Sequence, residues 1–160
     1  MSVVKFPYIE KHSRIFGKIL RPIITLEVYS EVFQEWDIID EVLADPGADI
    51  SLLPRSLGEP LVKDITNGEY IEIKGVVPNS MLIAFIHELT LKIGEKEFKT
   101  KIALAESNVI PAILGRYKAL DLFDVSFTGK KLSLNIESTL KSLFCHKSTK
   151  TQNPTKEIDC

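Results

Sequence analysis

The sequence predicts an all-β domain, with its strands closed or sandwiched around one core, and three observations carry that reading. Short runs of apolar and polar residues alternate at period two. Clusters of Pro, Gly, Asn and Ser punctuate those runs at short intervals. Few stretches show a helical period, so strand layers are left to bury the apolar surface.

The first predicted strand follows Arg21-Pro22. In Ile23 to Tyr29, IITLEVY, the residues Thr25, Glu27 and Tyr29 alternate against Ile24, Leu26 and Val28, which marks one buried face. Trp36 to Ala44 is a second apolar run, ended by Asp45-Pro46-Gly47, because proline followed by glycine stops a strand in a tight turn. Ile50 to Leu53 is a third, and Pro54 to Leu57 is expected to form one helical turn. Glu69 to Val77 alternates again and meets the turn Pro78-Asn79-Ser80. Met81 to Ile93 places Leu89, Leu91 and Ile93 on one face, and Gly94-Glu95-Lys96 turns it into a strand whose Phe98, Thr100, Ile102 and Leu104 share a face. Two consecutive hairpins result. Pro111 to Gly115 reads as a short buried strand, Arg116 to Leu122 as a helix of about two turns, and Phe123 to Phe127 with Leu132 to Ile136 as a closing hairpin around Thr128-Gly129-Lys130-Lys131. The expected organisation is one domain over residues 1–136 and a tail over 137–160. The tail is mixed at first and polar from His146, so it is expected to be partly disordered.

The totals narrow the class. A chain of 160 residues suits one domain, and 44% hydrophobic residues suffice for a core. The formal net charge is −2 with both signs spread along the chain, which leaves no footprint for nucleic acid and no polybasic membrane patch. Cys145 and Cys160 both fall in the tail, where they neither staple the core nor make a zinc spacing, and a reducing compartment is the simplest reading. Residues 1–11 lack the apolar region of a signal peptide. No stretch approaches the roughly 20 apolar residues of a membrane helix. A soluble cytoplasmic protein is expected.

Asp45 is the candidate site residue. It follows an apolar strand and opens a turn whose backbone glycine readily allows, with small Ala48 leaving room above it. Taken alone, Asp-Pro-Gly is an ordinary turn sequence. His12, His87 and His146 are scattered with no Ser or Cys motif beside them and read as surface or core-edge residues. Trp36 reads as packing, Ser51 as a turn residue, and nothing resembles a phosphate-binding glycine loop.

The surroundings of Asp45 add a resemblance. VLADPGADISLLP, Val42 to Pro54, resembles the Asp-Thr-Gly-Ala loop of the retropepsin-like aspartic proteases. AILGR, Ala112 to Arg116, resembles that family's second motif, RPIITLEVY its first strand, and FDVSFTGKKLSL, Phe123 to Leu134, the closing strands of its single-domain bacterial and archaeal members. The likeness runs from about Phe6 to Ile136. It implies a closed acid-protease barrel with one short helix after the second motif. It also implies an aspartic endopeptidase that needs no cofactor or metal and acts on extended peptides. Such chemistry uses two carboxylates sharing one proton, and this chain offers one, so the resemblance implies a two-fold homodimer with Asp45 and its symmetry mate as the dyad. It further implies that the backbone of Gly47, Ala48 and Asp49 lines the cleft beside Pro46, and that Asp49 pairs with Arg116 to brace the loop. The alternative is that these two are unrelated surface charges. Gly75, Val76, Val77 and Pro78 fall where the family has its flap, or else form a plain surface hairpin.

One departure bears on activity. Pro46 stands where the family has threonine, whose hydroxyl reaches the partner's loop; proline has neither a hydroxyl nor a backbone N–H. Proline also confines Asp45 to extended conformations, which either holds the carboxylate in place or misplaces it. The second reading is therefore a retropepsin-fold dimerisation or peptide-binding module with weakened or absent catalysis, and the third a generic β-barrel interaction domain.

Overall fold

The computed structural model describes residues 2–75 and 77–135. The elements in chain order are β1 (Val3–Pro7), β2 (Ile9–Ser13), β3 (Gly17–Arg21), β4 (Ile23–Ser30), β5 (Glu35–Ala44), β6 (Ser51–Leu53) and α1 (Arg55–Gly58). A 3-10 turn (Ile65–Asn67) leads to β7 (Glu69–Lys74), β8 (Met81–Ile93), β9 (Lys96–Ala105) and β10 (Ala112–Leu114). A second 3-10 turn (Leu120–Leu122) precedes β11 (Asp124–Thr128) and β12 (Lys131–Asn135).

The alternation in the sequence becomes a closed barrel. The strands run β4-β5-β10-β6-β9-β8, and β8 returns to β4 through Glu27↔Lys92 and Val28↔Leu91. Closure leaves β7 as the one strand of this sheet outside the ring, hydrogen-bonded to β8. The inward residues are those the period marked: Ile24, Leu26 and Val28 of β4, Leu89, Leu91 and Ile93 of β8, and Ile102 and Leu104 of β9. Burying a Leu or Ile of this kind contributes roughly 1.5–3 kcal/mol. Thr100 shares that inward face and is buried, and its hydroxyl donates to the Tyr117 carbonyl at 3.1 Å, which removes the cost of an unpaired polar group. Two pairings are parallel, β10 with β5 and β6 with β9. They are what brings the Asp45 turn beside Gly115.

Three strands were not legible in the sequence. β1 pairs with β12 in the three-stranded sheet β1-β12-β11, whose Leu132 and Leu134 join the barrel core, and among the described residues β2 pairs only with β3. The alternation of β1 buries its inner residues only halfway, and its partner lies at the far end of the described chain. The helix expected after the second motif is a single 3-10 turn. Lys118 there takes a positive φ of 45°, which interrupts a right-handed helix after Arg116. The expected strand over Glu69 to Val77 ends at Lys74. The tail from residue 137 lies outside the described residues. No helix among the described residues is long and apolar enough to cross a membrane.

Candidate active-site loop

The site begins where two parallel strands end together. Ala44 of β5 lies opposite Leu114 of β10, and the next amide, that of Asp45, donates to the Leu114 carbonyl at 3.0 Å. The chain then turns sharply. The Ala48 N–H donates to the Asp45 carbonyl at 3.1 Å, and the Gly47 N–H donates to Asp45 Oδ1 at 2.9 Å. That bond holds one carboxylate oxygen and orients the group, while Oδ2 accepts no hydrogen bond among the described residues. Asp45 and Ala48 are half-buried; Pro46, Gly47 and Asp49 are exposed.

The second motif clamps this turn through its main chain. The Arg116 N–H donates to the Ala48 carbonyl and the Tyr117 N–H to the Asp49 carbonyl, both at 2.9 Å. The Gly115 N–H donates to Ser51 Oγ at 3.0 Å in a buried position. Gly115 has room for no side chain, since a Cβ would meet the Ile50 carbonyl carbon and oxygen at 2.6 Å and the Ala48 carbonyl oxygen at 2.9 Å. The Arg116 side chain points elsewhere: its Nε pairs with Asp121 at 3.2 Å. Asp49 makes no ion pair among the described residues. The reason is local, because the Asp121 N–H donates to the Arg116 carbonyl and folds Asp121 back beside the guanidinium.

The β7–β8 hairpin carries the residues expected at the flap. Lys74 pairs with Met81, the Gly75 N–H donates to the Ser80 carbonyl at 2.9 Å, and the Ser80 N–H donates to the Val77 carbonyl at 3.1 Å. Asn79 takes a left-handed φ of 64°, as turn asparagines do. Val77 and Pro78 are exposed, and Val76 lies outside the described residues. A second apolar cluster runs from the Asp45 loop to this hairpin: Leu52, Ala84, Ala103 and Ala105, with Ile50, Ile71, Ile73 and Ile113 among those packed on it.

The same backbone course occurs in a solved structure of a retropepsin-like aspartic protease from Rickettsia conorii, with a TM-score of 0.54 over 83% of this chain and 91% of that chain, at 19% identity. The fold is retropepsin-like. A second solved structure, EIAV protease complexed with an inhibitor, is 25% identical over 60% of this chain and 82% of that chain, with a TM-score of 0.42. No protein-family model matches the chain, and no curated protein matches it in sequence. At 19% identity the likeness to the Rickettsia conorii structure lies in how the strands run rather than in which residues they carry.

Within the retropepsin-like barrel, two features escaped the reading of the sequence. Ser51 is a strut between the motifs and not a simple turn residue. A serine inside the apolar stretch Ile50 to Leu53 was the available signal, because a polar group buried there must find a partner. The apolar cluster beside the loop gave no signal, since its members come from separate strands that only barrel closure gathers.

Proposed function

We propose that the protein is a homodimeric aspartic endopeptidase that hydrolyses peptide bonds with a water activated between two Asp45 carboxylates, one per subunit. The observation that carries this reading is the Asp45 turn itself. Its carboxylate stands at the ends of two parallel strands, with one oxygen held by the Gly47 amide and the other unengaged by the described residues. Across a two-fold axis, two such groups close together share a single proton. The ionised one takes a proton from water as it attacks the scissile carbonyl, and the protonated one gives its proton to the carbonyl oxygen. Collapse of the resulting diol breaks the C–N bond, with a proton passing to the leaving nitrogen. No cofactor takes part.

The substrate in this reading is an extended peptide, hydrogen-bonded along Gly47, Ala48 and Asp49 as an added strand. Apolar side chains flanking the scissile bond suit the cluster around Ile50 and Ile113. The β7–β8 hairpin, with Gly75, Val76, Val77 and Pro78 about its tip, closes over it. Arg116 braces the loop through its amide. A cytoplasmic setting belongs to the same reading and rests on the tail cysteines. A peptide library screened from acidic to neutral pH tests the proposal: cleavage is expected, and Asp45→Asn is expected to abolish it. Cleavage that survives this substitution overturns the mechanism.

Pro46 favours a second reading, a binding or dimerisation module on the same fold. Its ring is exposed on the turn and offers neither a hydroxyl nor an N–H to a partner loop. Pro46→Thr discriminates, because proteolysis gained on that change marks a site silenced by proline.

A further inference from the structure

Among the described residues, the strands of the β2–β3 hairpin pair with each other and with no other strand. At its tip Ile15 and Phe16 are 83% and 77% exposed, although they are among the bulkiest apolar side chains of the chain. Residues 9–21 carry four basic side chains against one acidic, a net of +3 in a chain whose total is −2. Strand pairing sets His12 opposite Lys18 with Arg14 adjoining the tip, whereas Lys11 and Arg21 lie further back along the arm. Lys18 is paired with Glu10 at 3.2 Å and Lys11 with Glu41 at 2.5 Å, while Arg14 and Arg21 make no ion pair among the described residues. The hairpin register thus places two cations, Arg14 and Lys18, directly behind the apolar tip.

Two backbone amides of the tip are bonded within the turn. The amides of Ile15 and Phe16 both donate to Ser13 Oγ, at 3.3 and 3.2 Å. The two residues that would leave water first therefore carry their N–H groups already bonded, which lowers the cost of burying the turn. Apolar side chains outermost, cations just behind them and internally bonded amides are the features of a shallow interfacial anchor.

We propose that the Ile9–Arg21 arm docks the protein on anionic membrane surfaces, with Ile15 and Phe16 entering the interface and Arg14 and Lys18 meeting lipid phosphates and carboxylates. The inference stands apart from the role of Asp45.

Co-sedimentation with phosphatidylcholine vesicles, with and without phosphatidylserine, tests it. Binding is expected only where phosphatidylserine is present, and it weakens as salt is raised. Replacing both tip residues, Ile15→Ser with Phe16→Ser, is expected to reduce partitioning by about tenfold or more. Arg14→Glu with Lys18→Glu is expected to remove the preference for phosphatidylserine. Phe16→Trp in a Trp36→Phe background reports directly on the intact arm, with a blue shift of its emission when anionic vesicles are added. Absence of that shift, or equal vesicle binding by the tip variant and the parent, overturns the proposal. So does a tip variant that leaves lipid binding unchanged but weakens self-association in sedimentation velocity, because the occupant is then a second copy of the chain.

Discussion

Gly115 lies so close under the main chain of Ile50 that a Cβ on it would stand 2.6 Å from the Ile50 carbonyl oxygen. The contact is between backbones, so no rotamer change relieves it. Around it run the amide bonds that hold the Asp45 turn, from Gly115 to Ser51, Arg116 to Ala48 and Tyr117 to Asp49. The position of the candidate catalytic carboxylate is thus set by a glycine seventy residues further along the chain.

Gly115→Ala should therefore be among the most damaging conservative changes in the protein. Pushing the two loops apart is expected to cost about 1–3 kcal/mol, the usual range for overpacking. Urea unfolding measures this, and any Asp45-dependent cleavage should fall with it. An unshifted midpoint would show that the loops yield freely.

Ser51→Ala removes the acceptor for the buried Gly115 amide and leaves that N–H without a partner. The expected loss is about 1–3 kcal/mol. Chemical denaturation compared with an exposed control, Ser126→Ala, separates the buried strut from a generic loss of a hydroxyl.

Arg116→Ala is predicted to do little to a single subunit. Its ion pair with Asp121 joins two half-exposed side chains, with 53% and 54% of their surfaces accessible, and such pairs contribute less than about 1 kcal/mol. The bracing bond comes from its amide, which alanine keeps. A loss of several kcal/mol would instead mean that the guanidinium braces the loop after all.

Asp64 supplies a pH dependence. Its carboxylate accepts from the Thr66 hydroxyl at 2.7 Å and from the Thr66 amide at 2.9 Å, and these bonds, the hydroxyl's first, hold its pKa below the ordinary aspartate value. A carboxyl depressed on folding contributes stability that is complete above its unfolded pKa and is lost as pH falls through the folded one. The Ile65–Asn67 turn should therefore keep its cap through mild acid and lose it only below the usual aspartate range. Carboxyl-carbon NMR titration checks this, and a midpoint at or above the ordinary value would contradict it.

Much of the barrel was legible because each core strand carries its own signal. The face Phe98, Thr100, Ile102 and Leu104 is buried as its spacing required, with Thr100 satisfied by the Tyr117 carbonyl. The turns at Gly94 and Gly129 coincide with positive φ values of 58° and 59°, where glycine is favoured. The arm and β1 were missed for the opposite reason: their side chains are half-buried or exposed, so selection for an alternating pattern is weak there. The expected pair of Asp49 with Arg116 yielded to a shorter route, since a turn of five residues brings Asp121 to the same guanidinium.

What the amino-acid order decided by itself was local: which residues face inward, where the chain turns, and that Asp45 opens a tight turn after a buried strand. Those follow from period, proline and glycine, which act over a few neighbours. Tertiary structure alone decided which turn meets which. Closure of β8 on β4 and the parallel seating of β10 beside β5 bring Gly115 and Ser51 against the Asp45 turn, and the β2–β3 register sets Arg14 and Lys18 beside one apolar tip. Contacts between distant segments leave no periodic trace along the chain, because each depends on the shape of a partner that only the folded barrel supplies.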